Sequence, residues 1–313
     1  MLEFRQLRYY VTIVEAGSLT RAASVLHIAQ PALSQQMAGL EQEVGMRLLT
    51  RSVRGVVPTD AGWAVYRHAQ TLLKLEAQTR DIAKGAVGML SGRVRLGLPS
   101  SIAMILAAPL LAWVQAELPH VLLELYESPS AYLAAQLLDE RMDLSLLVDS
   151  QPSTALASQP VVDESLYFVR AAAGKARQRG TPVSLAEIAD TPMILTTRAT
   201  TLRQLVDAAF DGAGIAPAVR AEASSIQTLL TVVAQGSLAT LIPFSALSWH
   251  PATRPLERRL IAPGIYRRTT LAWSRSAALT PAAQAVRDAI AAVMVRLVED
   301  GTWEGAQLCT APR

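Results

Sequence analysis

The chain has 313 residues, enough for roughly two or three domains, and its 51% hydrophobic content excludes wholesale disorder. The longest apolar run, from Ile102 to Val114, falls short of the roughly 20 residues that span a membrane, and the charged N-terminus is unlike a signal peptide. Because Cys309 is its one cysteine, an internal disulfide is excluded. We expect a cytoplasmic protein with no membrane partner.

The excess of positive charge is confined to the first quarter of the chain. Residues 1–88 hold ten Lys or Arg and seven Asp or Glu, whereas residues 89–313 hold nineteen of each. A basic unit on a neutral body indicates a polyanionic partner, most often nucleic acid.

Three helices are predicted in this basic unit. Gly17 can end the first helix, and Ser18 can cap a second helix over Leu19–Leu26. Pro31 favours the first turn of a third helix, which runs to about Val44.

The third helix is the most informative segment of this unit. Its apolar stripe is predicted to be Leu33, Met37, Leu40 and Val44. The opposite face has no acidic residue and consists of Pro31, Ser34, Gln35, Ala38 and Gln42. Amide and hydroxyl side chains can bond base edges in the major groove, so this segment and the helix before it predict a helix-turn-helix motif. An ordinary three-helix bundle with a bland surface is the alternative.

A wing and a long helix are predicted next. Two short strands flank the turn Ser52–Gly55, where Arg54 either enters a narrow minor groove or remains a solvated charge. A long helix begins after Thr59, its candidate cap, and the three-and-four spacing of its apolar stripe predicts a coiled-coil seam with a partner chain. The seam residues are Val65, His68, Leu72, Leu75, Thr79, Ile82 and Ala86, and Gly85, Gly88 and Gly92 form a flexible joint.

The stretch from Ala16 to Gly62 resembles the N-terminal domain of the LysR-type transcriptional regulators. The segments LHIAQPALSQQ, RGVVPTDAG and SSIQTLLTVVAQGSLATLIP are most similar to the nitrogen assimilation control branch of that family, and the family resemblance covers essentially the whole chain.

This resemblance implies an α+β multidomain fold. It has an N-terminal winged helix-turn-helix DNA-binding domain over residues 1–58 and a long linker and dimerisation helix with a hinge over residues 59–91. A C-terminal two-lobed α/β periplasmic-binding-protein-like effector domain follows over residues 92–313. Lobe I takes residues 92–161 and 267–300, lobe II takes residues 162–266, and residues 301–313 form a tail.

The resemblance also implies the partners. A homodimer or homotetramer binds double-stranded DNA at an interrupted palindromic site, with RNA polymerase as a further partner. The predicted DNA-binding residues are Ser18, Thr20, Arg21, Gln30, Pro31, Ser34, Gln35, Arg51 and Arg54. Many relatives carry Arg where this chain has Gln35, which leaves open the base that is read there.

Strands and helices alternate beyond residue 89, which predicts parallel sheets with crossover helices. The first β-α-β-α-β run extends from Arg93 to Val148, and a second alternation of strands and helices begins after residue 160. Ligands of open α/β sheets bind beyond the carboxyl ends of strands, near helix N-termini.

Hydroxyl and amide side chains follow several of these strands. The resemblance places an effector cleft between the lobes, and we expect a small anionic effector there, held by Ser100 and Ser101 and closed over by the loop from Thr196 to Thr201. Arg198 and Arg203 flank that loop and either pair with a carboxylate ligand or are solvated. The predicted effector set is Ser100, Ser101, Ser128, Ser130, Thr196, Thr197, Thr200, Thr201 and Gln227. The alternative is that these residues are helix caps.

The chain carries no catalytic motif, so we expect no enzymatic activity, no cofactor and no metal site. Its histidines do not cluster with acids or cysteine. Three hypotheses remain: a DNA-binding regulator with a small-molecule effector, the same regulator controlled only by its own expression level, and a solute-binding or enzymatic α/β domain.

Overall fold

The computed structural model describes residues 2–52, 55–85, 90–172, 178–248, 256–276 and 278–309. The chain divides into two compact units, Met1–Met89 and Leu90–Arg313. They are called the N-terminal unit and the C-terminal unit below.

The N-terminal unit contains three short helices, a hairpin and a long helix. The first and third helices end at Gly17 and Gly45, whose φ angles of 62° and 72° require the left-handed conformation that glycine adopts at little cost. The predicted bounds of the second and third helices are confirmed. The elements are α1 (Phe4–Ala16), α2 (Leu19–Leu26), α3 (Gln30–Val44), β1 (Leu49–Ser52), β2 (Gly55–Pro58) and α4 (Asp60–Gly85).

The core of this unit forms where the first three helices meet. Leu33, Met37 and Leu40 of α3 are buried in one cluster with Tyr10 of α1. The prediction that Val44 belongs to this core stripe was wrong, because Val44 is 36% exposed. It is the last residue of α3, where the chain leaves the helix at Gly45.

The long helix α4 packs on α1 through a stripe that was not predicted. Tyr66 and Ala69 of α4 are buried, the Tyr10 hydroxyl donates to the Gly62 carbonyl at 2.8 Å, and Arg8 pairs with Glu76 at 3.0 Å. These residues lie beside the predicted seam, although Val65 of the seam also packs against this core.

The C-terminal unit alternates strands and helices, as the sequence predicts. Its elements are β3 (Ser91–Leu98), α5 (Ser100–Glu117), β4 (His120–Glu127), α6 (Ser130–Leu138), β5 (Leu144–Val148), β6 (Leu156–Ala171), β7 (Gln178–Arg179), α7 (Leu185–Ile188), β8 (Met193–Thr196), α8 (Thr201–Gly212), β9 (Val219–Ala223), α9 (Ile226–Ala234), β10 (Thr240–Pro243), a 3-10 helix (Phe244–Leu247), β11 (Leu256–Leu260), β12 (Tyr266–Ser274), α10 (Pro281–Glu299) and β13 (Ala306–Leu308).

Two large hydrophobic cores divide this unit into lobe I, built around α5 and α10, and lobe II, built around α8 and α9, and a smaller cluster packs around α6. In lobe I, β3 pairs in parallel with β4 and β5, and β12 joins β5 in the antiparallel sense. The long strand β6 passes through both lobes, since residues 156–165 pair with β12 and residues 166–171 pair with β10 and β11. Together β6 and β12 form the crossing between the lobes.

Helix α5 is long and apolar enough, among the described helices, to cross a membrane by composition alone. However, Ile102, Leu106 and Leu110 of this helix are buried in the lobe I core, and core helices of folded proteins share that composition.

Residues 301–313 were predicted only as a tail, but the structure folds the described part of this segment, up to Cys309, onto the C-terminal unit. Strand β13 pairs with residues Val162–Glu164 of β6, and Trp303 is 1% exposed in the lobe I core. Strands β7 and β11 and the 3-10 helix were not predicted, because such short elements give almost no periodic signal.

Candidate nucleic-acid interface and ligand cleft

The predicted recognition face of α3 lies at the surface. Gln30, Pro31 and Gln35 are exposed in the first two turns, followed on the same side by Ala38 and Gln42. Ser34 is half-buried. The buried side chains of α3 lie on the opposite face, so the amide groups of Gln30 and Gln35 are free to face an external partner.

Helix α2 precedes this face and presents polar side chains of its own. Thr20 and Arg21 are exposed. Ser18, which was also predicted to bind DNA, is the N-cap of α2, and its hydroxyl accepts from the Arg21 backbone amide at 3.4 Å. The Ser18 hydroxyl therefore has a structural role inside the unit.

The hairpin β1–β2 lies where a wing is predicted. Arg51 pairs with Val56 in the strand register, and the Val56 amide donates to the Gly17 carbonyl at 3.0 Å, which fixes the hairpin to the turn between α1 and α2. The side chain of Arg51 and the whole of Arg54 lie outside the described residues.

The predicted seam of α4 is accessible over the part of the helix whose side chains are described. Val65 and Leu72 are half-buried, Leu75 is 45% exposed, and His68 and Thr79 are exposed. The Ile82 side chain and Ala86 lie outside the described residues. An apolar stripe at this spacing is what a helical partner needs.

A cleft of about 660 Å³ lies between the two lobes of the C-terminal unit. Lobe I contributes Ser100 and a wall from α5, lobe II contributes the start of α9, and the N-termini of both helices meet there. The lining residues are Ser100, Ala103, Met104, Ala107, Ala108, Glu127, Ser224, Ser225, Ile226 and Gln227. The structure thus brings together Ser100 and Gln227, two residues of the predicted effector set.

Ser101 has a different environment from its neighbour Ser100. It is 2% exposed, and its hydroxyl accepts from the Arg267 guanidinium at 2.8 Å. Arg267 is itself paired with Glu164. The expectation that the Ser101 hydroxyl is open to a ligand is therefore corrected, because an internal cation occupies it.

The loop from Thr196 to Thr201 was expected to close on the same ligand, but the lining of the cleft comes from Ser224–Gln227 instead. Thr196 is buried, and Thr200 is the N-cap of α8, donating its hydroxyl to Thr196 and accepting from the Arg203 amide. Thr197 and Thr201 are half-buried. The hydroxyls of Thr196 and Thr200 therefore serve the turn itself.

Arg203 is also used internally. Its guanidinium is 2% exposed and donates to Asp207 and Glu222 at 2.7 Å each and to the Thr196 carbonyl at 3.1 Å. Arg198 is exposed beside this cluster. Of the two arginines proposed for a carboxylate ligand, only Arg198 remains accessible.

The second strand of lobe I contributes little to the cleft. Ser130 is buried, and its hydroxyl accepts from the Val148 amide at 3.0 Å. Ser128 is half-buried and its backbone amide donates to the Leu98 carbonyl.

Within the described residues, no group of three or more His, Cys, Asp or Glu is placed to hold a metal ion.

Sequence reasoning missed the buried polar cluster beside Ser101. Glu164 on β6 is fully buried, and it accepts from Arg267, from the Ser245 hydroxyl at 3.2 Å and from the Trp303 indole at 3.0 Å. The local sequence carried no signal for it, because Asp163 and Ser165 flank Glu164 and Arg268 follows Arg267, so neither charge stands alone among apolar neighbours.

Comparison with known proteins gives matches to both units. Residues 4–63 match the family described as "Bacterial regulatory helix-turn-helix protein, lysR family", and residues 88–295 match the "LysR substrate binding domain".

Individual proteins match over nearly the whole chain. The nitrogen assimilation regulatory protein nac of Klebsiella aerogenes is 38% identical, over 94% of this chain and 96% of that protein. The protein of the same name from Escherichia coli K12 is 36% identical, over 97% and 99%. The structure of a full-length OxyR cysteine variant from Pseudomonas aeruginosa superposes with a TM-score of 0.75 and 24% identity, covering all of this chain and 99% of that one.

Proposed function

Because the chain belongs to the LysR family of bacterial transcriptional regulators, we propose that it is a cytoplasmic homo-oligomer that binds an interrupted palindromic DNA site. LysR regulators bind DNA as oligomers and take small-molecule effectors on their substrate-binding domain. On this proposal the protein controls transcription without catalysing a reaction.

The observation that carries the DNA-binding proposal is the exposed face of α3. Gln30 and Gln35 are exposed and the face holds no acidic side chain, so no charge on it repels phosphate. An amide can bond an adenine edge at two positions, which suits Gln35 to direct base reading. Thr20 and Arg21 of α2 would contact the DNA phosphates and so hold α3 in register on the duplex.

DNA binding is tested by fluorescence anisotropy on an operator duplex from the promoter region of the gene and on a random duplex of equal length. We expect tighter binding to the operator and a linear fall of log affinity with log salt, since phosphate contacts release counterions. Arg21→Ala should flatten that slope by about one unit on both duplexes. Equal affinity for both duplexes would contradict sequence-specific binding.

Oligomerisation is proposed to use the accessible face of α4. Leu72→Asp puts a carboxylate in the middle of the seam, and burying it unpaired costs several kcal/mol. We expect the variant to sediment as a monomer and to lose operator affinity, because the two half-sites are no longer linked. Ala77→Asp is the matched control, because it adds the same charge at an exposed position of α4 outside the seam. A Leu72→Asp protein that remains oligomeric would assign assembly to another surface.

The effector is proposed to bind in the cleft between the lobes. The N-termini of α5 and α9 both border it, and their free amides and positive dipole ends favour a small anion. Isothermal titration with a panel of small acids tests this. Ser100→Ala and Gln227→Ala should each weaken any binding that is found, whereas Thr201→Ala on the lobe II turn should not.

A second candidate function keeps DNA binding and omits the effector, so that activity follows the amount of protein. It is favoured by one observation: the hydroxyls of Ser101, Ser130 and Thr196 all have partners inside the chain. If no compound in the panel binds or changes operator affinity, this second function replaces the first.

A further inference from the structure

The C-terminal clasp, defined here as Trp303–Cys309, joins the two lobes of the C-terminal unit. Trp303 is buried in the lobe I core. Next to it, Glu304 accepts from Arg258 of β11 at 2.7 Å, on the lobe II side. Beyond these anchors, β13 pairs with β6, and the Cys309 amide donates to the Val161 carbonyl at 2.9 Å. The clasp therefore lies over the crossing strand and contacts both sides of it.

The clasp also reaches a buried charge. The Trp303 indole donates to one carboxylate oxygen of Glu164 at 3.0 Å, while Arg267 and the Ser245 hydroxyl bond the other oxygen. Glu164 is 0% exposed and Arg267 is 3% exposed. A buried ion pair is tolerated only when its remaining lone pairs and protons have hydrogen-bond partners. The Trp303 indole provides the partner for the second carboxylate oxygen of Glu164.

From Arg267 the chain of hydrogen bonds continues to the cleft. Its guanidinium donates to the Ser101 hydroxyl at 2.8 Å and to the Ser245 hydroxyl at 2.9 Å. Ser101 lies in the first turn of α5, beside Ser100 on the cleft wall. Ser245 lies in the 3-10 helix that follows β10 of lobe II. The Arg267 guanidinium thus links the N-terminus of α5 in lobe I to the 3-10 helix that follows β10 in lobe II.

We propose that Trp303, Glu164 and Arg267 are positioning residues for the cleft, through which the C-terminal clasp fixes the first turn of α5. Trp303 orients Glu164, Glu164 holds Arg267 between Ser101 and Ser245, and this contact sets where Ser100 stands on the cleft wall. The consequence for regulation rests on the proposed effector function, but the mechanical link does not, because every contact in it lies within the C-terminal unit.

Amide hydrogen exchange of the full-length protein, without DNA or any small molecule, tests this link. Trp303→Phe keeps one aromatic ring in the core, removes the indole donor and leaves a small cavity where the second ring was. We expect exchange at residues 103–106, in the early turns of α5, to rise about tenfold, the effect of losing one hydrogen bond to a charged group. Residues 289–294 of α10, in the same core, should stay near the wild-type rate.

Trp273→Phe is the matched control, because Trp273 belongs to lobe I but its ring stacks with Arg287 rather than with the buried pair. It should leave residues 103–106 unchanged. If Trp303→Phe raises amide exchange equally over the whole C-terminal unit, Trp303 only packs the core and has no positioning role. If exchange at residues 103–106 does not rise, the proposed link is wrong.

Glu304→Gln provides a second test should Trp303→Phe fail to fold, since it weakens the clasp at its lobe II anchor and leaves the core intact. A smaller rise confined to residues 103–106 and to the β13 pairing is expected. A rise in amide exchange confined to β13, with none at residues 103–106, would contradict the proposal. Because DNA binding does not enter the measurement, failure here leaves the proposed regulator function standing.

Discussion

The recognition face of α3 and the effector set predicted for the interlobe cleft were both identified from polar side chains near helix N-termini, yet the structure uses them in opposite ways. Gln30 and Gln35 are exposed and face outward. Ser101 and Thr196 are buried and bonded to Arg267 and to a neighbouring threonine. Gln30 and Gln35 do not occupy the capping position of α3, whose N-cap Ala29 has no side-chain hydrogen bond, whereas a Ser or Thr at a helix N-terminus serves as a cap as readily as a ligand.

We therefore expect that removing buried polar groups beside the cleft lowers stability, whereas removing the exposed polar groups of α3 lowers only DNA binding. The largest effect is expected for Arg267→Met. It leaves Glu164 buried without its counter-charge, which costs about 3–5 kcal/mol of unfolding free energy. Urea denaturation checks this. Arg268→Met is the adjacent control, because its pair with Asp163 is exposed and is worth about 0–1 kcal/mol. Equal losses for both would contradict the distinction.

A neighbouring pair of serines sharpens the same contrast. Ser101→Ala removes the acceptor of a buried guanidinium donor, so we expect a loss of roughly 1.5–3 kcal/mol. Ser100→Ala, one residue earlier on the cleft wall, should leave the unfolding free energy nearly unchanged. Thermal unfolding of the two variants measures the difference, and a stable Ser101→Ala protein would return Ser101 to the ligand-binding set.

Gln35→Ala tests the opposite half of the comparison. The side chain is exposed, so stability should not fall. If the amide reads a base, affinity for the operator should drop by roughly 1–3 kcal/mol while affinity for random DNA stays the same. Anisotropy titrations on both duplexes decide it, and an equal loss on both would exclude base reading by Gln35.

The smallest effect concerns pH. Burial raises the pKa of the Asp149 carboxyl above its ordinary value, against the opposing influence of the Arg268 backbone hydrogen bond. The ionised form is thus disfavoured in the folded protein, and its cost is present above the raised pKa and relieved as the pH falls through it. Asp149→Asn should therefore be slightly more stable than the wild type at neutral pH.

Asp163 gives the control of opposite sign. The Arg268 side chain lowers the pKa of its carboxyl, so its contribution to stability is present at neutral pH and lost in acid. Asp163→Asn should be less stable than the wild type at neutral pH, with the difference closing in acid. Denaturation curves at neutral and acid pH check both variants, and the same sign for the two would contradict this assignment.

The sequence alone determined the parts of this protein that depend on local chemistry. The bounds of α2 and α3 follow from Ser18, Pro31 and Gly45, because caps and stops act within one turn of the chain. The alternation of strands and helices followed in the same way from periodicity. The exposed face of α3 was predictable too, since its three-and-four spacing fixes which side chains share a face.

Only the tertiary structure decided which polar groups are free. Glu164, Arg267 and Trp303 are far apart in the chain, and nothing in their local sequence pairs them. They meet because β6 and β12 are neighbours and the C-terminal clasp folds back over them. Whether Ser101 meets a ligand or an internal guanidinium depends on that long-range pairing, and hydrogen-bond partners brought together by strand topology leave no periodic trace in the sequence.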